Sequence, residues 1–100
     1  MLERLEREMF TPHLNSTFRA RENGLPEFDL VLTEVVERTN TPVQEVFTLL
    51  FRGPVDAPRP QGMLTLEHKE MGTISLFLTP IKLDSEGLYF EAVFNRLREP

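Results

Sequence analysis

The stretch EVFTLLFRGPVDAPRPQG, residues 45–62, does most to decide the fold of this chain. Its first half alternates as a strand does, so that Phe47, Leu49 and Phe51 point to the same face. Its second half holds three prolines. Each proline restricts φ to about −65°, which leaves the loop little conformational entropy to lose when it becomes ordered. The stretch therefore predicts a central β-strand that runs into a stiff loop.

Size and charge limit the classes of protein to which this chain can belong. It has 100 residues, of which 40% are hydrophobic and eight are phenylalanine, enough for one buried core. The absence of cysteine excludes disulfides and thiolate metal sites. A net charge of −5 argues against a nucleic-acid surface, which usually carries a basic excess.

No segment has the pattern of a membrane span or a secretory leader. No apolar run approaches the roughly 20 residues that a bilayer-spanning helix needs. The N-terminal sequence MLERLEREMF is charged and amphipathic, unlike the apolar core of a signal peptide. We therefore expect no membrane partner, no nucleic-acid partner and a cytoplasmic location.

Residues 1–10 are predicted to form a short amphipathic helix, which Pro12 ends. One stripe of this helix is apolar and consists of Leu2, Leu5, Met9 and Phe10. Because so short a helix is only marginally stable alone, the stripe must pack against something. It either covers the sheet of the same chain, which is the interpretation that we favour, or forms an interface with a partner.

Six segments have the alternating or turn-bounded apolar pattern of β-strands. They are residues 16–21, 27–38, 45–52, 63–68, 73–83 and 88–95. Asn23 and Gly24 have the composition of a tight turn, and in the turn at residues 84–87 we expect Gly87 to supply a positive φ. The expected fold class is mainly β (α+β), a small antiparallel six-stranded barrel or sandwich with a short N-terminal helix. We expect residues 1–100 to form a single domain, with a frayed tail from residue 96.

Two of these segments depart from simple alternation. Residues 27–38 contain a pattern that indicates a bulge or cover on both faces. The residues that carry it are Val31, Val35 and Val36. Residues 73–83 are apolar on both faces, with Phe77 and Ile81 opposite the main apolar row. This pattern predicts a central strand, or one whose second face is covered by the N-terminal helix.

No combination of residues predicts catalysis, a metal site or a cofactor. The serines lie in no GxSxG nucleophile elbow, and the chain has no glycine-rich phosphate loop. His13 and His68 each lack a second ligand at i+2 or i+4, whereas a zinc site needs three or four ligands. We interpret Glu67 or Glu91 as a cross-strand partner of Arg52 rather than as a general acid or base.

The proline-rich loop is the best candidate for a binding site, because loops held by a rigid scaffold often carry function. Its candidate binding residues are Arg52, Asp56, Arg59 and Gln61. The alternative, which we favour slightly, is that a long crossover between strands only needs stiffening.

Several segments together resemble an uncharacterised family of small bacterial proteins, a domain of unknown function. They are LLFRGP (49–54), DAPRPQG (56–62), LEH (66–68), Gly72, LFLTP (76–80) and YFEAVFNR (89–96), with a PHLNSTFR-like segment at residues 12–19. The resemblance implies no catalytic residue. Members occur near phage-tail-collar-like genes, which implies an accessory role in an assembly. Lys69 stands where the family pattern has a proline, a departure that concerns the rigidity of the turn at residues 68–72.

From the residues and the resemblance together we expect a non-enzymatic structural or interaction module. It would bind a protein partner or itself, for example as an accessory to a phage-tail-like or surface assembly. The alternative is a small barrel that binds an apolar ligand, although aromatic rings inside small barrels usually fill the core. The rings that would line such a site are Phe47, Phe51, Phe77, Phe90 and Phe94. Hydrolase activity is a more distant third expectation.

Overall fold

The computed structural model describes residues 5–97, which form one short helix and six β-strands. The helix α1 spans Arg7–Phe10 and continues into a 3₁₀ turn at Thr11–His13. The strands are β1 (Thr17–Arg21), β2 (Phe28–Asn40), β3 (Gln44–Gly53), β4 (Gly62–His68), β5 (Gly72–Asp84) and β6 (Gly87–Leu97). The predicted strands therefore exist, with ends that differ by a few residues. Within residues 5–97, no helix is long and apolar enough to cross a membrane.

The six strands form one antiparallel sheet that closes on itself. Their order is β1-β2-β3-β6-β5-β4, and β4 pairs back with β1, so that the ring of strands is a closed barrel. The sequence left a barrel and a sandwich open, and the pairing of β1 with β4 decides for the closed ring. The strand β3 is paired along its length with β2 on one side and β6 on the other, which confirms it as a central strand.

The inside of the ring is filled by the alternating apolar residues of the strands. Phe47, Leu49 and Phe51 of β3 are fully buried, as their spacing predicts. Their register partners on β6 are also apolar, namely Phe94, Ala92 and Phe90. Burial of each large apolar side chain contributes about 1.5–3 kcal/mol, so these facing rows contribute substantially to the stability of the core.

The long strand β2 contains the register shifts that its valines predict. Its pairing with β3 shifts between Leu32 and Glu34 and again between Glu37 and Thr39. A bulge of this kind increases the local twist of a strand, which helps a small sheet to close. The bulge prediction is therefore confirmed.

The strand β5 corrects one expectation, because its outer face is not covered. Phe77 and Ile81 are 54% and 50% exposed. Residues 5–13 do not cover Phe77 or Ile81, since Phe10 is instead buried in the core inside the ring. The prediction that the second face of residues 73–83 is covered is thus wrong, although the strand is paired on both sides along parts of its length.

Three smaller expectations change in detail. The helix is shorter than predicted in its described part, because Glu6 has extended backbone angles and acts as the N-cap. Gly87 does not have a positive φ; a Cβ atom there would lie 2.3 Å from the carbonyl oxygen of Gly53, so close packing requires glycine. The last strand continues to Leu97, two residues into the predicted tail, and residues 98–100 lie outside the described part.

Candidate functional site

The N-terminal segment, residues 5–13, closes one end of the ring. Phe10 is fully buried and lies 6.0 Å from the ring of Phe94, which stacks on Phe47 at 4.5 Å. Leu5 and Met9 are half-buried against the same core. The described members of the predicted apolar stripe thus pack on their own chain, and Phe10 leaves no surface for a partner. Leu2 lies outside the described residues.

Polar contacts of Arg96 hold this segment in place. Its guanidinium donates a hydrogen bond to the backbone carbonyl of Leu5. The same group lies 3.4 Å from the carboxylate of Glu45 and 5.4 Å from the centre of the Phe47 ring. The two charged side chains are only 16% and 7% exposed, so water screens their attraction weakly. This Arg96 clamp joins the N-terminal segment to β3 and β6.

The proline-rich loop closes the other end of the ring. Ala57 is buried in the core, and its backbone N–H donates to the carbonyl of Pro54 at 3.0 Å, which forms a tight turn. Asp56, Arg59 and Gln61 are on the surface. The loop thus has a structural role through Ala57, while its polar candidates remain accessible and their binding role stays a prediction.

The fourth loop candidate, Arg52, does not form the ion pair that the sequence suggests. Glu67 is paired with Arg21 instead, at 2.9 Å. Arg52 lies in register between Val31 and Tyr89 on the neighbouring strands, and within residues 5–97 it makes no ion pair. The expected Arg52–glutamate pair is therefore wrong, because the order of strands in the ring could not be read from the sequence.

A contact between a serine and a histidine was not predicted at all. The Oγ of Ser16 lies 2.8 Å from Nε2 of His68, although 52 positions separate the two residues. Two aromatic rings pack on the ring of His68. The centroid of the His13 ring lies 4.5 Å from that of His68, and the centroid of the Phe18 ring lies 4.4 Å from it. No local pattern links these residues, since the pairing of β1 with β4 brings Ser16 and Phe18 to His68.

The hydrogen bonds around His68 show what this contact can do chemically. Its Nδ1 accepts the backbone N–H groups of Glu70 and Met71 at 3.0 and 3.1 Å, so it carries no proton. In the neutral ring the proton is then on Nε2, which donates to Ser16, and Ser16 donates in turn to the carbonyl of His13. A histidine that donates to serine cannot take the serine proton as a general base.

The electrostatics of His68 agree with this neutral form. Burial lowers the pKa of His68 below its ordinary value, and the neighbouring His13 lowers it further, while Glu70 acts in the opposite direction. The contact is therefore a hydrogen-bonded joint between the N-terminal segment and the β4–β5 turn.

Among the surface cavities of residues 5–97, two bear on the candidate site. The one that we call the β5 groove has a volume of about 760 Å³ and lies between the N-terminal segment and the start of β5. It is lined by Leu5, Met9, His13, Glu70, Met71, Thr73, Ile74 and Ser75. The second cavity lies beside the β1–β2 turn and has mostly polar and charged walls, among them Arg21, Glu22 and Glu27. Neither contains a loop candidate or one of the five phenylalanines of the proposed apolar-ligand site.

Comparison with known proteins places the chain in a family. Residues 5–94 match the family described as Domain of unknown function (DUF6916). The chain belongs to this family. No curated protein and no solved structure matches it. Membership of DUF6916 thus covers the whole ring except the last residues of β6, and the description of the family assigns no activity.

Proposed function

We propose that this protein is a non-catalytic interaction module that binds a protein partner through β5. The observation that carries the proposal is an uncharged outer surface with large exposed apolar side chains. Met63 of β4 and Phe77 of β5 are register partners, and both side chains are more than half exposed, at 59% and 54%. No residue in positions 71–81 carries a charge, in a chain of which 27% is charged.

Such a surface is unusual on a soluble domain unless something binds to it. Scattered exposed apolar residues need no explanation, but contiguous ones often mark a contact surface. Met63 and Phe77 are direct cross-strand neighbours, and Ile81 extends the exposed apolar side chains along β5. If a partner covers these side chains, their removal from water contributes a favourable hydrophobic free energy to binding, which is absent while they are exposed in the monomer.

The Ser16–His68 joint supports a function without catalysis. Among residues 5–97 it is the one hydrogen bond between the side chains of a serine and a histidine, and its proton positions are those of a structural hydrogen-bond chain. A hydrolase that used this pair would need Nε2 of His68 unprotonated and facing Ser16, which its two backbone donors oppose.

The accessory role in a phage-tail-like or surface assembly, which the family resemblance implies, is a specific form of this proposal. The apolar-ligand alternative has less support from the geometry. Phe47, Phe51 and Phe90 are fully buried among other core side chains, whereas Phe77 faces away from the core. The rings therefore fill the interior rather than surround a common site.

The test compares the wild type with a variant that carries Met63→Lys and Phe77→Lys together. Because both side chains are exposed, each change should alter the free energy of unfolding by no more than about 0.5 kcal/mol. We expect the variant to lose the proteins that the immobilised wild type retains from a lysate of the source organism. Light scattering over a range of concentrations should show any self-association to be lost in the same way.

A matched control is the variant Val43→Lys with Glu34→Gln, which makes the same change of net charge at exposed positions outside β4, β5 and the proline-rich loop. It should behave as the wild type does. The proposed function is contradicted if the wild type stays monomeric at all concentrations and also retains no protein beyond those that the Met63→Lys, Phe77→Lys variant retains.

A further inference from the structure

The strand β5 changes partner half-way along its length. Its residues 72–78 pair with β4, and its pairing with β6 begins only at Thr79, opposite Glu91. Beyond Glu91, β6 pairs only with β3 among the described strands. The two strands thus separate on the side where the N-terminal segment lies. One edge of residues 72–78 has no strand beside it in the described part of the chain.

An edge of this kind carries backbone groups that can bind. In an antiparallel strand, the N–H and C=O groups of alternate residues point to the same side. No backbone hydrogen bond within residues 5–97 joins the free side of residues 72–78 to another segment. Every such buried or half-buried group gains from a partner, which makes an open edge a template for another strand.

The free edge faces the β5 groove. Thr73, Ile74 and Ser75 are consecutive, and all three line that cavity. Because side chains alternate between the two faces of a strand, three consecutive residues can line one groove only if the edge of the strand faces it. The opposite wall is formed by Leu5 and Met9 of the N-terminal segment. The groove is therefore a slot beside a bare strand edge, with an apolar wall.

The edge also lacks the usual protection against pairing. Soluble proteins commonly place a charged residue, a proline or a bulge on an exposed edge. Residues 72–78 contain neither a charge nor a proline, and the register shift of β5 comes later, between Pro80 and Lys82. The N-terminal segment covers the edge only in part, since the groove remains open between them.

We propose that an extended peptide segment of a partner protein adds to β5 as a further strand along residues 72–78. This inference rests on the proposed function and specifies how the partner is bound. A second copy of this chain does not fit as the partner through its own β5. Both copies carry a net charge of −5 and repel each other, whereas a basic segment of another protein is attracted.

The groove also specifies the side chains of the peptide. Apolar residues at every second position would contact Leu5, Met9 and Ile74. A basic residue would lie opposite Glu70, which is exposed at the rim of the groove and makes no ion pair within residues 5–97. The net charge of −5 also favours the approach of a basic segment.

The probe is a library of eight-residue peptides that begin with lysine and alternate serine with valine, isoleucine, leucine or phenylalanine. Binding is followed by NMR on the labelled full chain. We expect the best peptides to shift the amides of residues 72–78, with Kd below roughly 1 mM. A peptide with lysine replaced by glutamate should bind about two- to five-fold more weakly, and Glu70→Lys should reverse that order.

Selective N-methylation of the best peptide tests strand addition itself. Methyl groups on the amides that face β5 remove its hydrogen bonds, whereas methyl groups on the alternate amides leave them intact. We expect one methylated form to bind at least about tenfold more weakly and the other to bind nearly as the parent does. Val43→Lys with Glu34→Gln serves again as the protein control and should leave the affinity unchanged.

The outcomes separate this inference from the proposed function. Strand addition is wrong if the two methylated forms bind with equal affinity. It is also wrong if no peptide binds while retention of lysate proteins still depends on Met63 and Phe77. Either result would leave the proposed function as an interaction module unaffected. In the opposite case, one methylated peptide binds selectively but retention of lysate proteins does not depend on Met63 and Phe77. This result would overturn the proposed contact through Met63 and Phe77 and would support binding at the edge of residues 72–78 alone.

Discussion

The two ends of the ring are closed by residues of similar burial but different attachment. At one end Ala57 lies on a loop that is joined to β3 and β4 and stiffened by three prolines. At the other end Phe10 lies on a segment that, among residues 5–97, is joined to the ring through β1 and is held by side-chain contacts. Displacement of residues 5–13 would break no strand, so the Phe10 end should open more readily.

The difference matters because the Phe10 end is also where β5 and β6 separate. The β5 groove lies there, between the N-terminal segment and the bare edge of residues 72–78. The end closed by the loop has paired strands and a stiff cover instead. The molecule thus combines one closed end with one adaptable end, and the β5 groove lies at the adaptable end.

The largest expected effect comes from removing the plug at the adaptable end. Phe10→Ala deletes a fully buried ring and leaves a cavity, which should lower the free energy of unfolding by about 3–5 kcal/mol. Ala57→Gly, the matched change at the other end, should cost only about 1–2 kcal/mol. Urea unfolding measures both. A smaller loss for Phe10→Ala than for Ala57→Gly would break the comparison.

Next in size is the loss of the Arg96 clamp. Arg96→Met keeps the length of the side chain but takes the guanidinium away from Glu45 and from the carbonyl of Leu5. Since the pair is largely buried, we expect a cost of about 2–4 kcal/mol by chemical unfolding. Arg7→Met is the control, because the Arg7–Glu37 pair is more exposed and should contribute less than about 1 kcal/mol. Equal costs for both variants would show that burial does not strengthen the clamp.

A pH-dependent effect should follow from His68 at the joint of the N-terminal segment. Burial holds its pKa below the ordinary value of 6.5, so the unfolded chain binds this proton more readily than the folded chain does. The stability contributed by neutral His68 is therefore complete above about pH 6.5 and is lost as the pH falls below that value. Unfolding by urea at several pH values should show a steeper loss for the wild type than for His68→Gln.

His13→Gln refines this prediction, because the charge of His13 helps to lower the pKa of His68. The variant should have a smaller loss of stability with acid than the wild type, and an NMR titration should place the pKa of His68 higher. The same pH profile in the wild type and His68→Gln would remove the joint as the cause.

The smallest expected effect on stability comes from an exposed ion pair between β1 and β4, the two strands whose pairing closes the ring. Arg21 of β1 and Glu67 of β4 form a hydrogen-bonded pair at 2.9 Å across the two strands that close it. Both side chains are well exposed, so a double-mutant cycle with alanine should give a coupling of about 0.2–1 kcal/mol. A coupling far above this range would mean that ring closure depends on this pair rather than on the core.

Much of the fold could be predicted because the responsible signals are local. The alternation of Phe47, Leu49 and Phe51 identifies the inner face of β3, and a one-residue slip would expose all three. The Asn23-Gly24 turn has the positive φ that its sequence indicates, at Gly24. The valines of β2 indicate its register shifts. Each of these patterns depends on neighbours in the chain and not on the order of strands.

The site could not be predicted, because it depends on which distant segments meet. Alternation places Phe77 on a face without charged residues between positions 73 and 81, but does not show whether another element covers that face. The Ser16–His68 contact and the Arg21–Glu67 pair need the closure of β1 on β4 to be known. The change of partner along β5 has no local signal either, since its sequence would suit a strand paired on both sides.

Amide hydrogen exchange along β5 tests the central claim most directly. In the wild type at neutral pH, alternate amides of residues 72–78 should be protected by β4, and those between them should exchange at least about tenfold faster. Residues 47–51 of β3, which is paired on both sides, supply the reference and should be protected throughout. Alternating protection in β5 would show a free strand edge ready to accept a peptide. Uniform protection of residues 72–78, equal to that of β3, would show that the edge is already paired and would contradict the account.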